Sequence, residues 1–340
     1  MILTFGELLL RLKSYNNERL FQSERLETSF CGSEANVAVA LNNYGLPSKF
    51  VSKVPNNPIG LAAISSLKPF NVDVSSIAFG GARLGLYYLE KGASQRASKV
   101  IYDRKHSAFA ESLVDDYDWN ELFKGVKWFH FSGINPALSE NLFEISIQAC
   151  KVAKSLSITI SCDINYRATL WPQEEAKEKM TNLMQYFDVV MSNESDLRDV
   201  FGIRDEESNI EKGQINKKGY YESARLFAKK YSVSFVAMTL RESFSASHNR
   251  WSGIIYDIKH DTHYSSAEYD IQVVDRVGAG DSFAAGIIYG LYLNHELQDT
   301  LDFAVAASCL KHSIEGDFNR VSIEEIETLL KGNQSGRINR

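Results

Sequence analysis

The chain has 340 residues, 44% hydrophobic and 24% charged, which suits one large α/β domain or two smaller ones with ample material for a core. Thirty-seven basic against 43 acidic residues leave a formal net charge of -6, so the total indicates no basic face for nucleic acid or an anionic membrane. An anionic substrate then has to be held by a few local arginines. The cysteines Cys31, Cys150, Cys162 and Cys309 show no CxxC spacing and read as reduced thiols of a cytoplasmic protein rather than disulfides or metal ligands.

In chain order, residues 2–5 read as a buried first strand rather than a signal peptide, broken by Glu7 and Arg11. Residues 12–29 are polar and irregular. A helix over 34–43 ends at Gly45-Leu46-Pro47, a good stop signal. Strands and helices then alternate: 49–54 and 59–67, 128–131 and 143–155, 158–162 and 174–186, 188–191 and 194–201, and a helix over 221–231 before a strand over 235–240. Such alternation predicts a mostly parallel sheet covered on both faces, with ligands beyond the carboxyl ends of its strands. Two stretches break it. Residues 12–29 and 82–104 together predict a small antiparallel sheet standing off the core as a lid, with irregular surface loops as the alternative. Residues 204–219 read as an exposed charged insertion, and residues 332–340 as a frayed tail. The expected organisation is a single domain over 1–331.

Residues 270–274 are extended, and Val274-Asp275-Arg276-Val277-Gly278-Ala279-Gly280-Asp281 then opens an apolar helix over 283–293. A strand, a glycine turn and a helix N-terminus make an anion site, because the first N–H groups point outward and the helix dipole favours negative charge. The plainer reading is a tight turn with Asp281 as an ordinary first-turn acid. No Gly-Lys-Ser/Thr follows, so this is not a Walker loop. Cys31-Gly32-Ser33-Glu34-Ala35-Asn36 is a second glycine-led helix start, whose Asn36 amide suits sugar hydroxyls. Asp163, Asn165 and Arg167 alternate off the end of a strand, and the planar fork of Arg167 suits a carboxylate or phosphate. Ser192-Asn193-Glu194-Ser195-Asp196 could order water around magnesium, or simply complement a helix dipole. Thr239-Leu240-Arg241 follows a strand, as a nucleotide loop would, and Tyr102-Asp103-Arg104 falls in the lid segment.

From Asp275 to Asp281 the chain closely resembles the C-terminal signature of the ribokinase-like, or PfkB-type, carbohydrate kinases, and residues 31–38 resemble their glycine-led sugar signature. The combination of Gly85-Leu86-Tyr87, Tyr102-Asp103-Arg104, the stretch 132–138 and the stretch 163–171 is most similar to the subgroup acting on 2-dehydro-3-deoxy-D-gluconate. The resemblance implies a three-layer α/β/α domain, a central mostly parallel sheet and a small β-sheet lid. It implies ATP-dependent phosphorylation of the terminal 6-hydroxyl, with Asp281 as general base and Gly278, Ala279 and Gly280 presenting N–H groups to the transferring phosphate. Gly32, Asn36, Tyr87, Tyr102, Arg104 and Arg167 would hold the sugar acid. Asn165, Asn193, Thr239, Arg241, Gly278 and Gly280 would serve the nucleotide, with Asp196 reaching magnesium through water. ATP and Mg2+ are the implied cofactors, and the resemblance allows for a monovalent cation. A homodimer through the lid is expected, with no nucleic acid or membrane partner. Fructose, 5-dehydro-2-deoxygluconate or the galactonate-derived epimer are alternative substrates, and an inactive sugar sensor is an alternative outside enzymes. Arg276 stands where many relatives have threonine, Asp196 where many have glutamate, and Cys31-Gly32 where Gly-Gly is usual.

Overall fold

The computed structural model describes residues 1–203 and 217–332; the insertion read at 204–219 lies outside it up to residue 216, as does the tail from 333 onward. The main sheet has the strand order Thr262–Ser265, His248–Asp257, Phe235–Ser243, Val189–Ser192, Thr159–Asp163, Trp128–Ser132, Ile2–Phe5, Ser48–Val51, with Tyr269–Gln272 also paired to His248–Asp257. From Ser48–Val51 across to Phe235–Ser243 all pairings are parallel. Ile2–Phe5 and Val189–Ser192 are buried at every position. They read as unbroken apolar runs because helices cover both faces of a parallel sheet. One face is packed by Leu142 and Ile145, Met180 and Leu183, and Ala224 and Phe227, from the helices Glu140–Ser155, Gln173–Met184 and Lys217–Tyr231. The other is packed by Val37 and Leu41, Phe283 and Ile287, and Leu301 and Ala304, from Ser33–Asn43, Ala279–Tyr292 and Leu297–Lys311. The result is the three-layer α/β/α arrangement.

The main sheet is mostly parallel, as expected, with an antiparallel edge where His248–Asp257 pairs with Phe235–Ser243 and carries two further antiparallel partners. The structure corrects the sequence reading in three places. Residues 12–29 are not irregular throughout, since Leu9–Ser14 and Leu26–Cys31 pair antiparallel around a turn. These strands join Gly85–Glu90 and Lys99–Asp103 in a separate four-stranded sheet, whose central pairing, Leu9–Ser14 with Gly85–Glu90, is parallel. The side of Leu9–Ser14 that carries Arg11 (1% exposed) and Lys13 (5%) is polar yet buried, so hydropathy alone could not mark it as a strand. The helix after the glycine turn begins at Ala279, earlier than its apolar run, which places Asp281 in its first turn.

Candidate active site

A cavity of about 600 Å³ opens at the carboxyl ends of the parallel strands, between the main sheet and the four-stranded sheet. Its walls bring together every site residue named from sequence: Gly32, Asn36, Tyr87, Tyr102, Arg104, Asn165, Arg167, Asn193, Asp196, Thr239, Arg241, Gly278, Ala279, Gly280 and Asp281. A larger hollow of about 790 Å³ lies at the opposite rim, against the strand starts Trp128, Thr159, Val189 and Phe235. It holds none of these residues. Convergence of the chemistry, not size, selects the smaller cavity.

The turn is built for close approach. Gly278 is the N-cap of Ala279–Tyr292 at φ 83°, and a Cβ there would lie 2.0 Å from the Asp317 carbonyl oxygen. Both the left-handed backbone and the packing require glycine. The first-turn N–H groups of Gly280 and Asp281 have no acceptor within their helix, whereas the Ala279 N–H folds back to Arg276 O at 3.3 Å. Gly32 is held to glycine by space alone, since a Cβ would meet Glu7 O at 2.1 Å.

Asp281 faces the second glycine-led helix start. Its Oδ1 accepts from Ser33 Oγ at 2.7 Å and its Oδ2 from Asn36 Nδ2 at 2.6 Å. Burial lifts the Asp281 pKa to about 6, against the pull of those two hydrogen bonds. Burial likewise lifts Asp196 to about 7 and Asp163 well above the carboxylate range, Asp163 being further raised by Asp196 and Asp281. Asn193 caps the helix Glu194–Phe201 by accepting from Asp196 N, and its Nδ2 donates to Asp196 Oδ2 at 2.9 Å. Asn165 sits in the left-handed region at φ 45°, which a short amide tolerates, and its Nδ2 reaches Asp163 Oδ2 at 3.3 Å. Among the described residues no group of three His, Cys, Asp or Glu is placed to hold a metal ion directly.

Four guanidiniums line the same cavity: Arg104, Arg167, Arg241 and Arg276. Arg104 lies 4.4 Å over the Tyr102 ring and 3.6 Å from Glu7. Arg167 donates to the Tyr166 carbonyl at 2.9 Å, and Arg276 to that of Ala246 at 2.9 Å. Burial, and for Arg241 also repulsion from Arg276, lowers the pKa of Arg241 and Arg276.

Sequence reasoning missed the group beneath the turn. Arg11, 1% exposed, is paired with Asp317 and, at 2.6 Å, with Asp275; Tyr87 OH donates to Asp317 Oδ2 at 2.7 Å. Its partners stand 264 and 306 residues away, so no local pattern points to them. Glu34, read only as part of a helix start, is 2% exposed, and burial raises its pKa to about 7. Replacing Arg11 with alanine leaves two buried carboxylates without their cation. The expected loss is roughly 3–5 kcal/mol of stability, measured as the shift in a denaturant midpoint at pH 7.

The pfkB family carbohydrate kinase model matches residues 1–222 and 252–320. The chain belongs to this family. As a pfkB carbohydrate kinase it is an enzyme that transfers phosphate from ATP to a sugar. It is 47% identical to the crystal structure of 2-dehydro-3-deoxygluconokinase from Thermotoga maritima, with TM-score 0.93 over 97% of this chain and 98% of that one. It is 28% identical to the 2-dehydro-3-deoxygalactonokinase of Haloferax volcanii over 98% of both proteins. It is 27% identical to the 2-dehydro-3-deoxygluconokinase of Bacillus subtilis, covering 95% of this chain and 92% of that protein. In this pfkB kinase, among the described residues, no helix is long and apolar enough to cross a membrane.

Proposed function

We propose that this pfkB kinase phosphorylates 2-dehydro-3-deoxy-D-gluconate at its 6-hydroxyl, giving 2-dehydro-3-deoxy-6-phosphogluconate and ADP. The observation that carries the reading is the placement of Arg104 and Arg167 in the same cavity as Asp281 and the glycine turn. Two guanidiniums suit a sugar that bears a carboxylate, and the names of the similar proteins in Thermotoga and Bacillus point to the same acid.

In this mechanism the Asp281 carboxylate takes the proton of the 6-hydroxyl as that oxygen attacks the γ-phosphorus. The bond from γ-phosphorus to the β,γ-bridging oxygen breaks, and ADP leaves. The N–H groups of Gly280 and Asp281, with the helix dipole, stabilise charge on the transferring oxygens. Gly278 keeps that turn open, while Ala279, whose N–H is turned back to Arg276, shapes it. Gly32, Asn36, Tyr87 and Tyr102 line the sugar side. Asn165, Asn193, Thr239 and Arg241 line the nucleotide side, where Arg276 adds a second positive charge beside the phosphates. Asp163 and Asp196 are oxygen donors of the kind magnesium prefers, and both carboxylates are raised by burial, so a divalent charge would favour their ionised forms. Bound magnesium would offset phosphate charge.

The domain reading is one kinase unit over 1–331, with segments 12–29 and 82–104 closing over the sugar to exclude water. Ile101 (55% exposed), on the face of the four-stranded sheet that it shares with Tyr88 and Leu12, supports a homodimer through the lid. The cytoplasm supplies ATP and keeps the four free cysteines reduced.

A coupled kinase assay on 2-dehydro-3-deoxygluconate, its galacto epimer, 5-dehydro-2-deoxygluconate, fructose and ribose tests the assignment. The gluconate-derived acid is expected to give the highest kcat/KM, and a preference for a neutral sugar refutes it. On the same panel Arg167→Ala should raise KM for the acid by about tenfold to a hundredfold, the worth of a charged hydrogen bond, and leave fructose unchanged. An unaltered KM for the acid removes Arg167 from carboxylate binding.

A further inference from the structure

Lys311 ends the helix Leu297–Lys311 and is fully buried. Among the described residues it forms no ion pair. Its Nζ instead donates to two backbone carbonyls, Ile314 O at 3.2 Å and Asp275 O at 3.4 Å. A buried ammonium held by carbonyl oxygens is an expensive arrangement that calls for a reason.

The surroundings supply one. Asp275 leads into the glycine turn, and its carboxylate accepts from Arg11, from Val277 N at 3.1 Å and from Gly316 N at 3.2 Å. The segment after Lys311 runs back beneath the turn. His312 O accepts from the N–H groups of Val274 and Asp275, and Asp317 O lies where a Gly278 Cβ would be. Asp275 and Asp317 bring two negative charges to this knot, and Arg11 and Lys311 bring two positive ones. Burial draws the Lys311 pKa down, while Asp275 and Asp317 pull it back up.

Carbonyl oxygens are the ligands that replace the water shell of an alkali cation, and a lysine ammonium is a compact point charge of the same sign and size class. A monovalent cation seated beneath this turn would need the carbonyls that Nζ already takes. The residues therefore do not fit the added cation that the family resemblance allows for. We propose that the Lys311 ammonium is a built-in cation that positions the glycine turn, and that this kinase needs no added monovalent cation for phosphoryl transfer. The proposal rests on the kinase reading for what the turn binds, but not on which sugar is used.

The test compares the wild-type enzyme in tetramethylammonium chloride and in potassium chloride at equal ionic strength, following turnover by a coupled assay and ATP binding by calorimetry. Both quantities are expected to agree within about twofold, and activation of about tenfold or more by K+ or NH4+ overturns the proposal. Lys311→Met removes the charge at similar length. It is expected to lose about tenfold or more in turnover in tetramethylammonium and to recover much of it when K+ or NH4+ is added. A folded variant with full activity, or with a loss that no cation relieves, shows a merely structural lysine and overturns it too. If the variant fails to fold, the wild-type comparison decides. An enzyme with no turnover on any sugar would refute the kinase reading, while its ATP affinity in the two salts would still decide the cation question.

Discussion

Asp281→Asn is expected to lower kcat by about 10²-fold or more while leaving the affinities for ATP and sugar within a few fold. Asparagine keeps the local bonds: its amide oxygen can accept from Asn36 Nδ2, and its amide N–H can donate to Ser33 Oγ, the partners the carboxylate has now. What it loses is the capacity to take a proton. With the Asp281 pKa lifted to about 6 by burial, the wild-type rate should fall as pH drops through about 6, because a protonated carboxyl cannot act as the base. That limb should vanish in the variant. Stability runs the other way. A carboxylate whose folded pKa is raised contributes stability that is complete below its unfolded value near 4 and is lost as pH rises through about 6. The asparagine enzyme should therefore be no less stable than the wild type at pH 5 and at pH 8, so a lost rate cannot be ascribed to unfolding. Near-normal turnover would take Asp281 out of the base role.

Gly278→Ala should be nearly as damaging, for a geometric reason. At φ 83° an alanine pays about 1–2 kcal/mol for the left-handed backbone alone. Its Cβ would also stand 2.0 Å from the Asp317 carbonyl oxygen and 2.9 Å from its carbonyl carbon. Backbone cannot yield as a flexible side chain can, so the turn has to move. Displaced N–H groups no longer meet the developing charge, and a loss of about 10²-fold or more in kcat/KM is expected, since single donors of this kind are worth that much. Gly280→Ala is the matched control: nothing lies within 4 Å of its added Cβ, and its φ is not in the left-handed range. Steady-state kinetics on the two variants, with thermal unfolding of each, separates the effects. Equal activity in both would show that the turn tolerates displacement.

The parallel half of the sheet was legible because strands such as Val189–Ser192 are apolar at nearly every position, and the helix Ser33–Asn43 because a clear stop follows it. The strand His248–Asp257 was not: it opens on His248, Asn249 and Arg250, yet is buried over most of its length by neighbours on both sides. The helix Leu297–Lys311 was hidden differently, its apolar residues being spread around the axis because it packs against both Ala279–Tyr292 and Ile323–Leu330. In the site, residues at strand ends and in glycine turns were readable, since short-range chemistry marks them. Arg11, Asp317 and Lys311 were not. Each looks like an ordinary surface charge until the chain folds, and only the closed structure brings Arg11 to acids far along the sequence.

Arg11 also has a mechanical consequence. It belongs to the four-stranded sheet, whereas Asp275 and Asp317 border the glycine turn, and Tyr87 from the neighbouring strand donates to the same Asp317. Lys13 of the same strand and Lys91, just past Gly85–Glu90, both pair with Glu315, and Ser94 O accepts from Ala246 N, so the small sheet is fixed to the rest of the protein beyond Arg11 as well. A shift of the strand that carries Arg11 would therefore pull on Asp275 and Asp317, and through them on the glycine turn.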